Sequence, residues 1–369
     1  MKQVIIIGGG LSGLIAANCL AEAQVPVILF ERKEYPFHRV CGEYISNETI
    51  PFLKSLQLFP EKFNPPSINQ LQLTSVNGRS ATLELDLGGF GISRYTFDQF
   101  LYEKAKKRGV VFHLNTEVEG VAYANEKFEA KTKDQIWEAD VIIGCFGKRS
   151  KVDVSLKRDF IQKRSPYVGV KYHIRMEHPD ALIALHNFKD GYCGISNIED
   201  GKSCLCYLTH RDNVRKFGTI KTMEEEVLYK NPFLKSIFTN AEFLYDKPEV
   251  INEISFETKS PIQDHILMSG DAAGMITPLC GNGMAMAIHS AKIVSELVSA
   301  FSKNKISREH LEKQYAKKWN SLFANRLWAG RQIQNLFGSE WASNFAVNLA
   351  KHVKPIASYL VKKTHGESF

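Results

Sequence analysis

The stretch Val4-Ile5-Ile6-Ile7-Gly8-Gly9-Gly10-Leu11-Ser12-Gly13 decides how this chain folds. Four consecutive aliphatic residues suit a parallel strand buried on both faces. The six residues after them satisfy G-x-G-x-x-G, ahead of a helix predicted over Leu14 to Ala23. Gly8 permits a tight turn, Gly10 lets the backbone approach a pyrophosphate, and Gly13 lets the helix pack on the strand. The helix N-terminus adds free N–H groups and the positive end of its dipole. Val27 to Phe30, entered after Pro26, reads as a second buried strand, completing a βαβ opening. Glu31 ends that strand 18 residues beyond Gly13, where a carboxylate accepts from ribose hydroxyls. A glycine motif alone can be an ordinary turn; strand, helix and terminal acid in register point to a dinucleotide site.

Far down the chain, the predicted strand Ile266–Met268 runs into Ser269-Gly270-Asp271-Ala272-Ala273-Gly274. Pro278, Gly281-Asn282-Gly283 and a helix predicted from Gly283 to Ala300 follow. An aspartate there can bind a polyol such as ribityl, and the glycine loop with the helix N-terminus can face the anionic edge of a flavin. Alone, Gly270-Asp271 also reads as a helix cap; its pairing with the N-terminal motif makes the flavin reading specific.

Between these ends, a helix is predicted from Thr96, with Thr96 and Gln99 as a capping box and Gly109 at its close. Strands are expected near 110–114, 118–123, 128–132 and 141–143. Two further stretches, 66–90 and 165–260, alternate as strands do, for example at 68–74, 81–87, 168–174, 182–187 and 203–208. The expected fold is α/β: an FAD-binding, Rossmann-like domain (1–65, 91–150 and 261–300) with a β-rich substrate domain inserted in it (66–90 and 151–260). Residues 301–369 form a helical C-terminal extension.

In order, Gly8–Gly13 with Glu31, Arg39-Val40-Cys41-Gly42-Glu43, Arg94 and Gly270-Asp271 with Pro278 to Gly283 resemble a flavoprotein superfamily. It holds para-hydroxybenzoate hydroxylase, flavin-dependent halogenases and geranylgeranyl reductases, and the geranylgeranyl-reductase branch is the most similar. The resemblance covers about residues 1–300. It implies a glutathione-reductase-type nucleotide fold, with Arg39, Cys41 and Gly42 bordering the flavin and Arg94 on its phosphate or ribose side. The candidate cofactor-binding set is Gly8, Gly10, Leu11, Ser12, Gly13, Glu31, Arg32, Arg39, Cys41, Gly42, Arg94, Val118, Gly270, Asp271, Pro278, Gly281, Asn282, Gly283 and Met284. Two departures stand out. Phe146, in Gly144-Cys145-Phe146-Gly147-Lys148-Arg149-Ser150, takes the place of an aspartate linked to cofactor and nicotinamide binding; Lys148 and Arg149 are candidate replacements. The halogenase signature W-x-W-x-I-P is also missing: Gly191-Tyr192-Cys193-Gly194-Ile195-Ser196 lacks both tryptophans, so halogenation is not expected. Cys41 is the catalytic candidate, as a thiol that tunes the flavin or donates a proton, against a bland reading as a small packing residue. His38, His173, His210, His265 and His289 read as isolated structural or surface residues.

The 369 residues are 44% apolar and 24% charged, an ordinary globular composition. The seven cysteines are scattered, and only Cys204 and Cys206 are close, which is weak support for a metal site. No metal is expected. No basic leader precedes the first strand and no apolar run reaches a membrane span, so a cytoplasmic protein is expected. From Phe301 onward twelve Lys/Arg face four Glu, so the net +7 belongs to the tail, and no nucleic-acid channel is expected. That tail reads as a helical cap on the substrate domain. The alternative is a peripheral contact with an anionic membrane or acidic carrier through Lys351, Lys354, Tyr359, Leu360, Lys362 and Lys363. The expected activity is FAD-dependent oxidation–reduction of an apolar small molecule, by oxygen insertion or by reduction of a C=C bond, with NAD(P)H as a transient reductant. A flavin-holding protein without redox turnover is the alternative from another class.

Overall fold

The computed structural model describes residues 2–334, 339–352 and 366–369, apart from the side chains of Cys280 and Ile333. The aliphatic opening run forms the strand Val4–Ile7, fully buried, with parallel neighbours Val27–Phe30 and Val141–Gly144. Among the described residues, this six-stranded sheet runs in the order Ile262–Gln263, Ile266–Met268, Val141–Gly144, Val4–Ile7, Val27–Phe30, Val111–His113. Both sequence motifs therefore emerge from strands of one sheet, at the same ends. The first helix begins at Leu11, three residues earlier than expected, because the Gly10 carbonyl already accepts from Leu14 N–H at 2.9 Å.

A nine-stranded sheet stands beside it, built mainly from the two alternating stretches. Ser67–Thr74 and Ser80–Gly91 pair antiparallel, and the ladder continues through Leu182–Phe188, Gly191–Ile198, Lys202–His210 and Tyr167–Arg175. One boundary differs from the sequence reading. Tyr44–Ser46, inside the segment assigned to the nucleotide unit, pairs with Ser80–Gly91 in the larger sheet. The Arg39–Glu43 turn just before it thus bridges the two sheets. Val118–Ala124, Lys127–Thr132 and Ile136–Ala139 form a separate three-stranded meander.

The helix expected from Thr96 spans Arg94–Lys107 instead. Its N-cap is Ser93, whose Oγ accepts from Thr96 N–H at 3.1 Å, and Gln99 bonds Glu103 rather than closing a capping box. Ser93 supplies the same hydroxyl chemistry one turn earlier, so spacing alone did not discriminate.

The C-terminal extension corrects another expectation. Leu311, Tyr315, Trp319, Phe323 and Leu327 recur every four residues along the helix Arg308–Gln334 and are all buried. They join the core of the nucleotide sheet and the helices Leu11–Glu22 and Gly283–Ser302, not the substrate sheet. Among the described residues of the extension, the helix Glu340–His352 packs on the larger sheet, with Val347 and Ala350 against Leu71, Leu73, Leu83 and Leu85. Of the basic stretch, Lys354, Tyr359, Leu360, Lys362 and Lys363 lie outside the described residues. Gly283–Ser302 is long and apolar enough to cross a membrane, but most of it is buried in the protein, as a core helix is.

Candidate active site

Gly8 sits at φ +102°, and a Cβ there would stand 2.4 Å from the Cys145 carbonyl oxygen. A Cβ on Gly13 would stand 2.0 Å from the Gly8 carbonyl oxygen, so the helix lies against the turn itself. Three hydroxyls join this turn to the distant Gly270–Asp271 turn. Ser12 Oγ and Ser269 Oγ, 257 residues apart, lie 2.7 Å apart, and Ser269 meets Ser290 at 2.8 Å. Ser290 Oγ also accepts from Gly270 N–H at 2.9 Å. The Asp271 turn is fastened from behind. Arg158, paired with buried Asp153, donates to the Ala272 carbonyl, and Lys259 donates to the Asp271 carbonyl. Burial pushes Lys259 down to about 8. Trp319 and Leu327 of the C-terminal helix press on Gly274, a support that sequence spacing did not reveal.

Charged side chains ring Gly10. Glu31 accepts from Gly9 N–H at 2.9 Å, Lys33 N–H at 3.1 Å and the Arg39 guanidinium at 3.1 Å. Arg39 reaches on to Asp98, and Arg94 grips the same carboxylate through two bonds of 2.7 Å. A Cβ on Gly10 would find nothing nearer than Arg94 Nη2 at 3.8 Å and Arg39 Cζ at 4.0 Å, and one on Gly42 nothing within 4 Å. The space over Gly10 is thus open, faces two guanidiniums and meets the N-terminus of Leu11–Glu22, which suits a pyrophosphate. Asp271 lies on the cavity wall, and its carboxylate takes no hydrogen bond among the described residues. Burial raises its pKa, so a polyol hydroxyl would satisfy an otherwise costly group. The residues fit FAD, which supplies a two-electron redox centre when bound.

Every candidate cofactor residue lines one cavity of about 630 Å³ except Gly13 and Asn282. Gly13 acts through helix packing, and Asn282 is fully buried where the helix Gly283–Ser302 begins. The cavity runs on into an apolar chamber walled by Leu71, Leu73, Leu83, Leu85 and Leu185. The first four sit at i, i+2 spacing on adjacent strands, so they present one face. Phe345 and Leu349 of the helix Glu340–His352 close the chamber's outer side. Phe146 is also on the wall, beside Lys148, which burial pushes down to about 8; Arg149 reaches Glu253 at 3.9 Å.

Cys41 lines the cavity, and burial raises its pKa, so it stands as a thiol rather than a thiolate. Its carbonyl accepts from the Cys204 thiol at 3.2 Å. Behind it lies a cluster that the sequence reading missed. Glu43, with a left-handed φ of 55°, is 1% exposed and accepts from Lys171 Nζ at 2.5 Å and Arg94 N–H at 2.8 Å. Its other oxygen meets His173 Nε2 at 2.6 Å. Lys171 holds Glu43 well below the usual carboxylate range, to about 2, against the opposing effect of burial. Tyr245 hydroxyl then joins His173 Nδ1 to His38 Nδ1 at 2.5 and 3.0 Å, and His38 lines the cavity. His38 and His173 are therefore not isolated. His265 pairs with Glu312, His210 caps a short helix and His289 stacks on Phe369. The signal available in the sequence was period two: Lys171 and His173 share one face of a strand whose other face is apolar. Glu43, His173 and Cys204 bring ligand-type atoms within 4.8 Å of one another, but the Lys171 ammonium already holds that carboxylate as an ion pair.

A parallel sheet carrying the Gly8–Gly13 turn beside the Asp271 turn defines an FAD-binding protein. The profile of a family described as FAD binding domain matches residues 1–318, and the chain belongs to that family: it is an FAD-dependent oxidoreductase. Among curated proteins it is similar to the digeranylgeranylglycerophospholipid reductase of Methanosarcina acetivorans, 25% identical over 91% of this chain and 84% of the relative. It is also similar to conditioned medium factor receptor 1 of Dictyostelium discoideum, at 23% over 88% and 68%. Among solved structures it resembles a geranylgeranyl bacteriochlorophyll reductase-like protein of Thermoplasma acidophilum, with TM-score 0.79 and 18% identity over 100% of this chain and 96% of that one. The flavin-dependent halogenase CmlS gives TM-score 0.78 and 20% identity, over 100% and 68%. At these identities the solved structures share the fold alone.

Proposed function

We propose that this enzyme reduces C=C bonds in a long apolar, isoprenoid-like substrate, with NAD(P)H as the transient source of electrons. The carrying observation is the leucine-walled chamber continuous with the cradle around Gly10 and Asp271. A chamber of that lining takes a hydrocarbon chain and excludes water from the redox centre. Cys41 and Gly42 line this cavity on the turn that bridges the two sheets, where a protonated thiol can act as a donor. The name of the Methanosarcina relative supports the same substrate class. Such a substrate resides in membranes, and exposed Trp341 and Phe345 on the helix that closes the chamber support a peripheral membrane contact.

The decisive measurement is anaerobic. Photoreduced holoenzyme mixed with a geranylgeranyl lipid should reoxidise its flavin, and the product should gain two mass units per bond reduced. Flavin that stays reduced without oxygen, with a product sixteen units heavier in air, would overturn reduction in favour of oxygen insertion.

A further inference from the structure

We propose that His38, Tyr245 and His173 form a proton wire from the cavity wall to buried Glu43, and that it supplies the proton accompanying hydride transfer. The last clause rests on the reduction proposed above; the wire itself rests on geometry. Tyr245 has one hydroxyl proton and lies between two Nδ1 atoms. It therefore donates to one histidine and accepts from the other. Ionised Glu43 has no proton to give, so His173 Nε2 must carry one toward it. Two arrangements satisfy every bond. In the loaded one, His173 is an imidazolium on Glu43 and donates from Nδ1 to Tyr245; Tyr245 donates to His38 Nδ1, and His38 carries its proton on Nε2. In the discharged one, His38 donates from Nδ1 to Tyr245, Tyr245 donates to His173 Nδ1, and His173 is neutral.

A single shift along the chain converts the first into the second. His38 releases its Nε2 proton to the cavity, Tyr245 replaces it at His38 Nδ1, and His173 replaces the proton of Tyr245. Reduction of C=C needs a hydride at one carbon and a proton at the other. FAD, when bound and reduced, would supply the hydride, and the wire supplies the proton. No heavy atom has to move.

The surroundings favour passage over storage at the outer end. Burial pushes His38 down to about 4, the positive charges of Lys171, His173 and Lys202 add to the effect, and Glu43 opposes it. Burial, with the carboxylates of Glu43, Glu249 and Glu199, raises Tyr245, which stays a neutral phenol. A structural ion pair needs only Lys171 and Glu43; it does not require Tyr245 and His38 to extend it to the cavity wall.

The test is Tyr245→Phe, which keeps the ring and removes the hydroxyl, with histidine ¹⁵N-labelled in the holoenzyme and assigned through His38→Gln and His173→Gln. In the parent, once pH has been raised until the His173 resonances show a neutral ring, long-range ¹H–¹⁵N spectra at that pH should show His38 as the Nδ1–H tautomer and His173 as Nε2–H. In Tyr245→Phe, His38 should revert to Nε2–H, the form favoured in water. Identical His38 tautomers in parent and variant overturn the wire, whatever the substrate proves to be. Anaerobic single turnover is the second arm. Tyr245→Phe should slow substrate reduction by roughly 100-fold with an enlarged solvent deuterium effect, while flavin reduction by NAD(P)H is unchanged. Equal slowing of both half-reactions overturns the proton-delivery role. A parent that reduces no C=C bond overturns the proposed reaction while the tautomer result still decides the wire.

Discussion

Around Gly10, each charged group is held by another: Glu31 by Arg39, Arg39 by Asp98, and Asp98 by Arg94. Around Leu83 and Leu85, at the other end of the same cavity, the walling side chains are aliphatic and make no hydrogen bonds, and shape follows from strand pairing and a covering helix. The charged end is preorganised before any ligand arrives, since moving the Arg39 guanidinium leaves buried Glu31 without its cation. The apolar end can exchange one aliphatic side chain for another at small cost, provided volume is kept. Binding of the nucleotide is therefore expected to fail sharply on substitution, and substrate choice to drift gradually.

The largest expected effect separates two glycines within one motif. Gly13→Val puts a branched side chain into the Gly8 carbonyl and should cost about 3 kcal/mol or more of stability, visible as loss of soluble protein or a collapsed denaturation midpoint. Gly10→Val faces open space, so the apoprotein should fold normally while FAD affinity falls roughly 100-fold, or about 2.8 kcal/mol. Equal stability losses in both variants would erase the distinction between packing glycine and cofactor glycine.

A smaller effect is expected in the chamber. Leu85→Trp fills space between the strands and Glu340–His352, so KM for a long-chain substrate should rise about tenfold, with the flavin spectrum and FAD affinity unchanged. Loss of flavin in this variant would mean that the two ends are not independent.

A separate effect, read in stability rather than binding, lies away from the cavity and shows what a buried acid costs without a cation. Glu224 is buried beneath the larger sheet, hydrogen-bonded by Tyr172 and Tyr207, and burial pushes it up to about 7. Between about 4.5 and 7 the unfolded chain releases this proton and the folded protein keeps it. This group should therefore lower stability, by roughly 3 kcal/mol in all, as pH rises through that window. Glu224→Gln should flatten that slope in denaturant titrations; a slope unchanged by the substitution would show that Glu224 ionises freely in the fold. Glu43, paired with Lys171, behaves oppositely: its depressed pKa gives stability above the unfolded carboxylate range that is lost only as pH falls toward about 2.

The sequence alone determined the nucleotide unit, because its signals are local. An apolar run, glycines at fixed spacing and an acid at the next strand end constrain backbone and helix N-terminus within some thirty residues. The Asp271 turn was legible for the same reason, and so was the alternation of strands such as Ser80–Gly91 and Tyr167–Arg175. Tertiary structure decided whatever depends on which faces meet. It set the helix Arg308–Gln334 behind the Asp271 turn rather than on the substrate sheet, since an apolar stripe at every fourth residue specifies burial without naming the partner. It also gathered Glu43, Lys171, His173, Tyr245 and His38 from three separate stretches of chain. Hydrogen bonds between side chains carry no periodicity, and each of those residues taken singly has the pattern of an ordinary strand or loop position.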